Sequence, residues 1–353
     1  MKTLLALLGT EFPLIQAPMA GAQGAALAVA VSNAGGLGSL PGALLSPEAL
    51  PVELKALCQG TSKPWNINFF CHKPPAPDAS REARWREALA PFCAEAGIDP
   101  GTVPTGAGRT PFSHALADVI EPFCPPVVSF HFGLPAPDLL ARVKGWGSAV
   151  LSSATTVLEA RWLVAHGVDA VIAQGLEAGG HRGMFLTDDL TTQLGSLALL
   201  PQIVAAVDVP VIAAGGIADA AGVAAAMALG AAGVQVGTAY LCCPEATTSA
   251  LHRAALQSQA AHHTALTTLF TGRPARGIVN RLMRELGPLN PVAPAFPLAT
   301  AAMAPLRAHW EAQGSGDFSP LWSGQNASGC RALPAAELTR QLAQGFEPID
   351  PAL

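Results

Sequence analysis

Short apolar runs recur along the chain, and each is followed by a stretch with helical spacing. The runs lie at 13–20, 37–40, 65–70, 127–132, 149–153, 170–174, 209–214 and 233–239. They are nearly continuous in Val, Ile, Leu and Ala rather than alternating. A strand covered on both faces reads this way, because neither face meets water. Eight such strands with helices between them, over about 240 residues, predict an α/β fold of the TIM (β/α)8 barrel type. A doubly wound open sheet would show the same local pattern.

Two regions break the rhythm. Residues 72–125 carry many prolines and the charged stretch Arg81-Glu-Ala-Arg-Trp-Arg-Glu87, with no apolar strand, and read as an insertion between the third and fourth strands. From about residue 262 the strand signal stops, and helical stretches are broken by Pro288, Pro291, Pro294 and Pro297. The expected division is a barrel over 1–260, including that insertion, and a smaller, mainly helical region over 261–353 that covers the substrate end.

Composition narrows the function. Half of the 353 residues are hydrophobic, only 13% are charged, and the net charge is −5. No Lys/Arg run stands out, so neither nucleic acid nor an acidic membrane surface is expected as a partner. The seven cysteines include the adjacent Cys242 and Cys243 but no C-x-x-C. That usage fits free thiols, packed as small buried hydrophobes in a reducing cytoplasm. Lys2 followed by Leu4 to Leu8 imitates a secretion signal, but the apolar part is too short, and Glu11 and Pro13 interrupt it. The Ala/Gly-rich stretch 220–234 falls short of the roughly 20 residues a membrane span needs.

In a barrel, chemistry gathers where the strands end. The first strand ends in Gln16-Ala-Pro-Met-Ala-Gly21, the third in Asn66-Ile-Asn-Phe-Phe-Cys-His72 and the fourth in Ser129-Phe-His-Phe-Gly133. The sixth ends in Gln174-Gly-Leu-Glu-Ala-Gly-Gly-His-Arg-Gly183, the seventh in Ala213-Ala-Gly-Gly216 and the eighth in Gln235-Val-Gly-Thr238. Loops after strands seven and eight form the common phosphate site of such barrels, with glycines baring N–H groups and Thr238 adding a hydroxyl. Asp219 is placed to cap the following helix. The alternative is that these glycines only make tight turns. Asn68 and Gln174 can both donate and accept, which suits the edge of a flavin, although each could instead satisfy loop backbone. His181 and His131 are the acid–base candidates, and Glu177 is placed to orient either His181 or an insertion-loop backbone. No Walker A, dinucleotide fingerprint or nucleophile elbow is present, and no His/Asp/Glu spacing predicts a metal site.

Together these segments resemble class I nitronate monooxygenases, formerly called 2-nitropropane dioxygenases. The matching stretches are Gln16–Gly21, Val31–Gly38, Asn66–His72, Ser129–Pro135, Ala173–Gly183, Pro210–Ile217 and Gln235–Thr238, with a weaker echo at Leu321-Trp-Ser-Gly-Gln325. The resemblance implies a TIM-barrel flavoprotein with non-covalent FMN and no metal. Its members oxidise alkyl nitronates, in many cases propionate 3-nitronate, with O2. An electron passes to FMN, the semiquinone reduces oxygen, and an aldehyde-type product leaves with nitrite or nitrate. By position, Met19, Asn68, Gln174, Gly179, Gly180, Gly216, Gln235, Val236, Gly237 and Thr238 would hold FMN. His181 would be the catalytic base on neutral nitroalkanes or would polarise the bound nitronate, and His131 would help bind the nitronate. The implied protein is a cytoplasmic monomer or homodimer. An FMN-dependent NAD(P)H:quinone or enoyl-acyl-carrier reductase is the alternative on the same barrel.

The chain departs from that pattern in two places. Gln23-Gly-Ala-Ala26 stands where the family often has Thr-Pro. The C-terminal region lacks the family's tyrosines and lysine and has Phe296, Pro297 and Arg307, which leaves Arg307 as the expected carboxylate partner.

Overall fold

The computed structural model describes residues 3–76, 78–99 and 109–347. Eleven strands occur among them: β1 (Leu14–Gln16), β2 (Gly38–Pro41), β3 (Trp65–Phe70), β4 (Val127–His131), β5 (Ala149–Ala154), β6 (Ala170–Gln174), β7 (Gly180–His181), β8 (Val211–Ala214), β9 (Gly233–Val236), β10 (Thr264–Thr267) and β11 (Ala275–Ile278). Eight of these pair in parallel in the order β1-β9-β8-β6-β5-β4-β3-β2. A parallel bridge from Ile15 to Leu37 joins the two ends. The result is the expected barrel rather than an open sheet, and its eight strands are the eight apolar runs, trimmed at their ends.

Burial explains the continuous apolar runs. Every residue of β2, β3, β5, β6 and β8 is buried. Helices cover the outside, and polar caps start them: Thr156 accepts from Glu159 N, and Asp219 accepts from Gly222 N as expected. The apolar N-terminal run forms the helix Leu4–Leu8, whose Leu4 and Leu8 join the core cluster containing Ile15, Leu37, Val127 and Ile212.

The insertion and the C-terminal region build one cap. Helix Ala79–Glu95 places Trp85, Leu89 and Phe92 in a core shared with Leu282, Met303 and Phe318. The Arg281 guanidinium donates to both carboxylate oxygens of Glu95, at 2.8 and 2.7 Å. Residues 77 and 100–108 of the insertion lie outside the described residues.

Three features differ from the sequence reading. Strands do occur after residue 262: β10 and β11 form an antiparallel hairpin, and β7 adds to it with Ala275 opposite His181. These strands are short and contain Thr, Ala, Arg and Gly, so they carry no apolar run. The chain also returns to the barrel at its end. Helix Ala335–Ala343 packs on helices Ala25–Asn33 and Ala220–Ala228, with Thr339 Oγ1 2.8 Å from the buried Tyr240 hydroxyl. It completes the outer ring of helices, so the cap is an excursion between the eighth barrel strand and its helix. Finally, all seven cysteines are free, but Cys58 and Cys124 are exposed rather than buried. No helix among the described residues is long and apolar enough to cross a membrane.

Candidate active site

A cavity of about 520 Å³ opens between the strand ends and the cap, within the roughly 300–1,000 Å³ typical of cofactor and ligand sites. Met19, Asn68, His131, Gln174, Gly179, Gly180, His181, Gly216, Gln235, Gly237 and Thr238 all line it. Val236 does not: its side chain is packed in the barrel core, since neighbouring side chains of a strand point to opposite faces.

One part of the wall offers backbone donors. Gly215 and Gly216 have φ of +116° and +77°, conformations that favour glycine. The N–H groups of Gly179, Gly216 and Ile217 donate to nothing among the described residues. Thr238 Oγ1 accepts from Gly324 N at 3.0 Å, which ties the Leu321-Trp-Ser-Gly-Gln325 segment into the same wall. Gly179 is required for that approach, since a Cβ there would lie 2.5 Å from Gly324 N.

A second part offers side-chain acceptors. Asn68 donates through Nδ2 to the Ser129 carbonyl and hydroxyl at 3.1 and 3.0 Å, leaving Oδ1 without a partner among the described residues. Gln235 Oε1 is buried and unpartnered. Gln174 is used differently. Its Nε2 donates to the His181 carbonyl at 2.9 Å, and its Oε1 accepts from Gly183 N at 2.7 Å. It therefore satisfies loop backbone, the alternative that the sequence left open.

The histidines divide in the same way. His131 has one nitrogen 3.2 Å from the His181 carbonyl, where it must donate, so the other accepts from Ser153 Oγ. The expectation that His131 offers a nitrogen to substrate meets a ring already engaged at both. His181 Nε2 lies 2.9 Å from Thr271 Oγ1. That hydroxyl also reaches the Arg273 carbonyl at 3.4 Å. Around the ring stand Phe70, Phe132, Phe296 and Trp322, with centroids 5.4–6.3 Å away. Burial first, then the charges of Arg109, His131, Arg273 and His72, hold the His181 pKa well below the ordinary value. Burial likewise takes His131 down to about 3. The site histidines are therefore neutral at neutral pH.

Two residues acquire explanations that their types did not suggest. Arg182 is fully buried and donates to the carbonyls of Gly175 and Gln174 at 2.6 and 2.7 Å and to Gln193 Oε1 at 3.0 Å. It fixes the loop that carries His181. Glu177 does not orient His181; its carboxylate accepts from the backbone and hydroxyl of Ser196 at 2.9 Å. Sequence reasoning passed over Arg109, Thr271 and the wall function of Trp322, because insertion and cap residues carry no strand-end signal.

Comparison with known proteins agrees with this geometry. The nitronate monooxygenase family model matches residues 1–345. A protein named nitronate monooxygenase from Paraburkholderia phytofirmans is 45% identical over 97% of this chain and 94% of its own. One of the same name from Pseudomonas aeruginosa is 43% identical over 96% and 97%. The solved structure of a nitroalkane oxidase from Streptomyces ansochromogenes superposes with a TM-score of 0.87, at 38% identity over 98% of both chains. FabK from Thermotoga maritima superposes less well, at 0.72 and 26% identity over 98% and 96%. The parallel barrel, the cavity at its strand ends and these matches over nearly the full length establish that the chain belongs to the nitronate monooxygenase family, and so to a family of oxidoreductase enzymes.

Proposed function

We propose that this enzyme binds FMN in the cavity and oxidises alkyl nitronates with O2, with propionate 3-nitronate as substrate, giving an aldehyde-type product plus nitrite or nitrate. The observation that carries the FMN reading is the complementary wall. Three unused N–H groups, at Gly179, Gly216 and Ile217, sit beside Thr238 and suit a phosphate. The buried, unpartnered Gln235 Oε1 and the Asn68 Oδ1, whose Nδ2 alone is engaged, suit ring N–H groups. Met19, Gly180 and Gly237 complete the cradle, and Gln174 supports it through the loop. Bound FMN would supply the one-electron route between nitronate and oxygen.

The protein's part is recognition and exclusion of water. His181 presents a neutral ring among aromatic side chains, where its unprotonated nitrogen can accept the α-proton of a neutral nitroalkane. A nitronate has already lost that proton, so toward it His181 acts by position. His131 and Gln174 hold the His181 carbonyl, and with it the ring. The reductase alternative stands behind this reading, because the FabK likeness is weaker in both sequence and shape. Free thiols and the lack of a long apolar helix among the described residues support a cytoplasmic enzyme, acting as a monomer or homodimer.

Two measurements test the proposal. The purified protein should be yellow and release FMN on denaturation. It should also consume oxygen and release nitrite on addition of propionate 3-nitronate without NADH. A colourless protein that gains no nitronate-dependent oxygen uptake when supplied with FMN would refute it.

A further inference from the structure

Arg109 is a cation in the cavity wall that has no carboxylate partner among the described residues. It lines the cavity, and among the described residues no Asp or Glu does. Its guanidinium carbon lies 5.5 Å from the centre of the Phe296 ring, and the guanidinium has no hydrogen bond or ion pair among the described residues. Burial takes its pKa down to about 10, and no carboxylate offsets the shift. The other arginine of the wall, Arg307, is paired with Glu311 at 2.7 Å. The cation expected from sequence to meet a carboxylate is thus already engaged. Arg273 stacks on Phe132 at 4.1 Å and donates to the Met184 carbonyl, outside the cavity lining.

A half-buried guanidinium without a partner is only partly solvated, and a ligand anion relieves the cost of that desolvation. Arg109 and His181 both flank Phe296, at 5.5 and 5.4 Å. Both also line the cavity, and the Arg109 charge acts on the His181 ring, so a ligand whose nitronate lies at His181 can present its other end to the guanidinium.

We propose that Arg109 determines specificity by binding the carboxylate of nitronates that carry one, an inference that rests on the nitronate reading above. An arginine suits this role because its planar fork matches a carboxylate bidentately. The insertion thereby supplies to the cavity wall the cation that Arg307, engaged with Glu311, does not.

The test uses holoenzyme and the Arg109→Met and Arg109→Lys variants, with FMN content as the check on folding. kcat/KM is measured for propionate 3-nitronate and for propyl 1-nitronate, which has the same carbon chain and no carboxylate. In Arg109→Met the ratio of the two should fall by about 30-fold or more, mainly through KM, with partial recovery in Arg109→Lys. An unchanged ratio would overturn the proposal. Calorimetric binding of 3-nitropropionate and 1-nitropropane provides a readout that needs no turnover. If the wild type oxidises neither nitronate, the nitronate reading fails, and the binding data still decide the role of Arg109. Weakening of 3-nitropropionate alone by Arg109→Met supports it, and equal weakening of both ligands overturns it.

Discussion

Gln174 holds the backbone on both sides of Arg182: it donates to the His181 carbonyl at 2.9 Å and accepts from Gly183 N at 2.7 Å. The side chain that ends β6 thus sets the position of the histidine seven residues later. Replacing Gln174 with Ala removes two buried hydrogen bonds and leaves a carbonyl and an N–H without those partners. The expected cost is about 1–3 kcal/mol, seen in urea unfolding, with a larger proportional fall in kcat/KM than in stability.

Arg182 fixes the same loop from the other side. Its three bonds point to three separate acceptors, which a lysine ammonium on a flexible stem cannot reach together. Both Arg182→Met and Arg182→Lys should therefore destabilise the protein, by about 2–4 kcal/mol for Met, and both should lose FMN on gel filtration. Full rescue by Lys would show that charge alone is needed.

The neighbouring glycines should respond differently to alanine. At Gly180, φ is +70° and nothing lies within 4 Å of an added Cβ, so Gly180→Ala meets only backbone strain of about 1 kcal/mol. At Gly179 the new Cβ collides with backbone at Ser323 and Gly324. Gly179→Ala should displace that segment and weaken FMN binding more than Gly180→Ala does. Fluorescence titration of apoprotein with FMN measures the order.

Burial keeps His72, His131 and His252 near pKa values of about 4, 3 and 4, and His181 well below its ordinary value. In the unfolded chain each would take up a proton near pH 6.5, so acid favours unfolding. Stability should be fullest above about pH 6.5 and fall toward pH 4, by at most about 1.4 kcal/mol per pH unit for each histidine. Unfolding midpoints across this range check the slope, and His131→Asn should reduce it.

His181→Asn should retain FMN yet lower kcat/KM for a neutral nitroalkane more than for its nitronate. Equal losses would assign His181 to positioning only.

The barrel was legible because its strands are buried on both faces, which leaves unbroken apolar runs such as 170–174. The strand-end rule gathered most of the cavity wall, from Met19 to Thr238. It did not show that a lining residue can also brace: Gln174 and His131 line the cavity, yet their polar atoms are engaged by the His181 loop and Ser153. The cap was less legible. Its hairpin residues are held by pairing rather than by apolar content, and Arg109 lies in an insertion with no strand to mark where it points. The opposition of Glu95 and Arg281 across 186 positions is likewise a product of packing that local patterning does not register.

Anaerobic stopped-flow mixing of the yellow enzyme with propionate 3-nitronate, and separately with NADH, tests the central claim most directly. Rapid change of the flavin spectrum with the nitronate, and none with NADH on the same time scale, is the expected result. Rapid bleaching by NADH with no response to the nitronate would contradict the claim and move the enzyme to the reductase alternative.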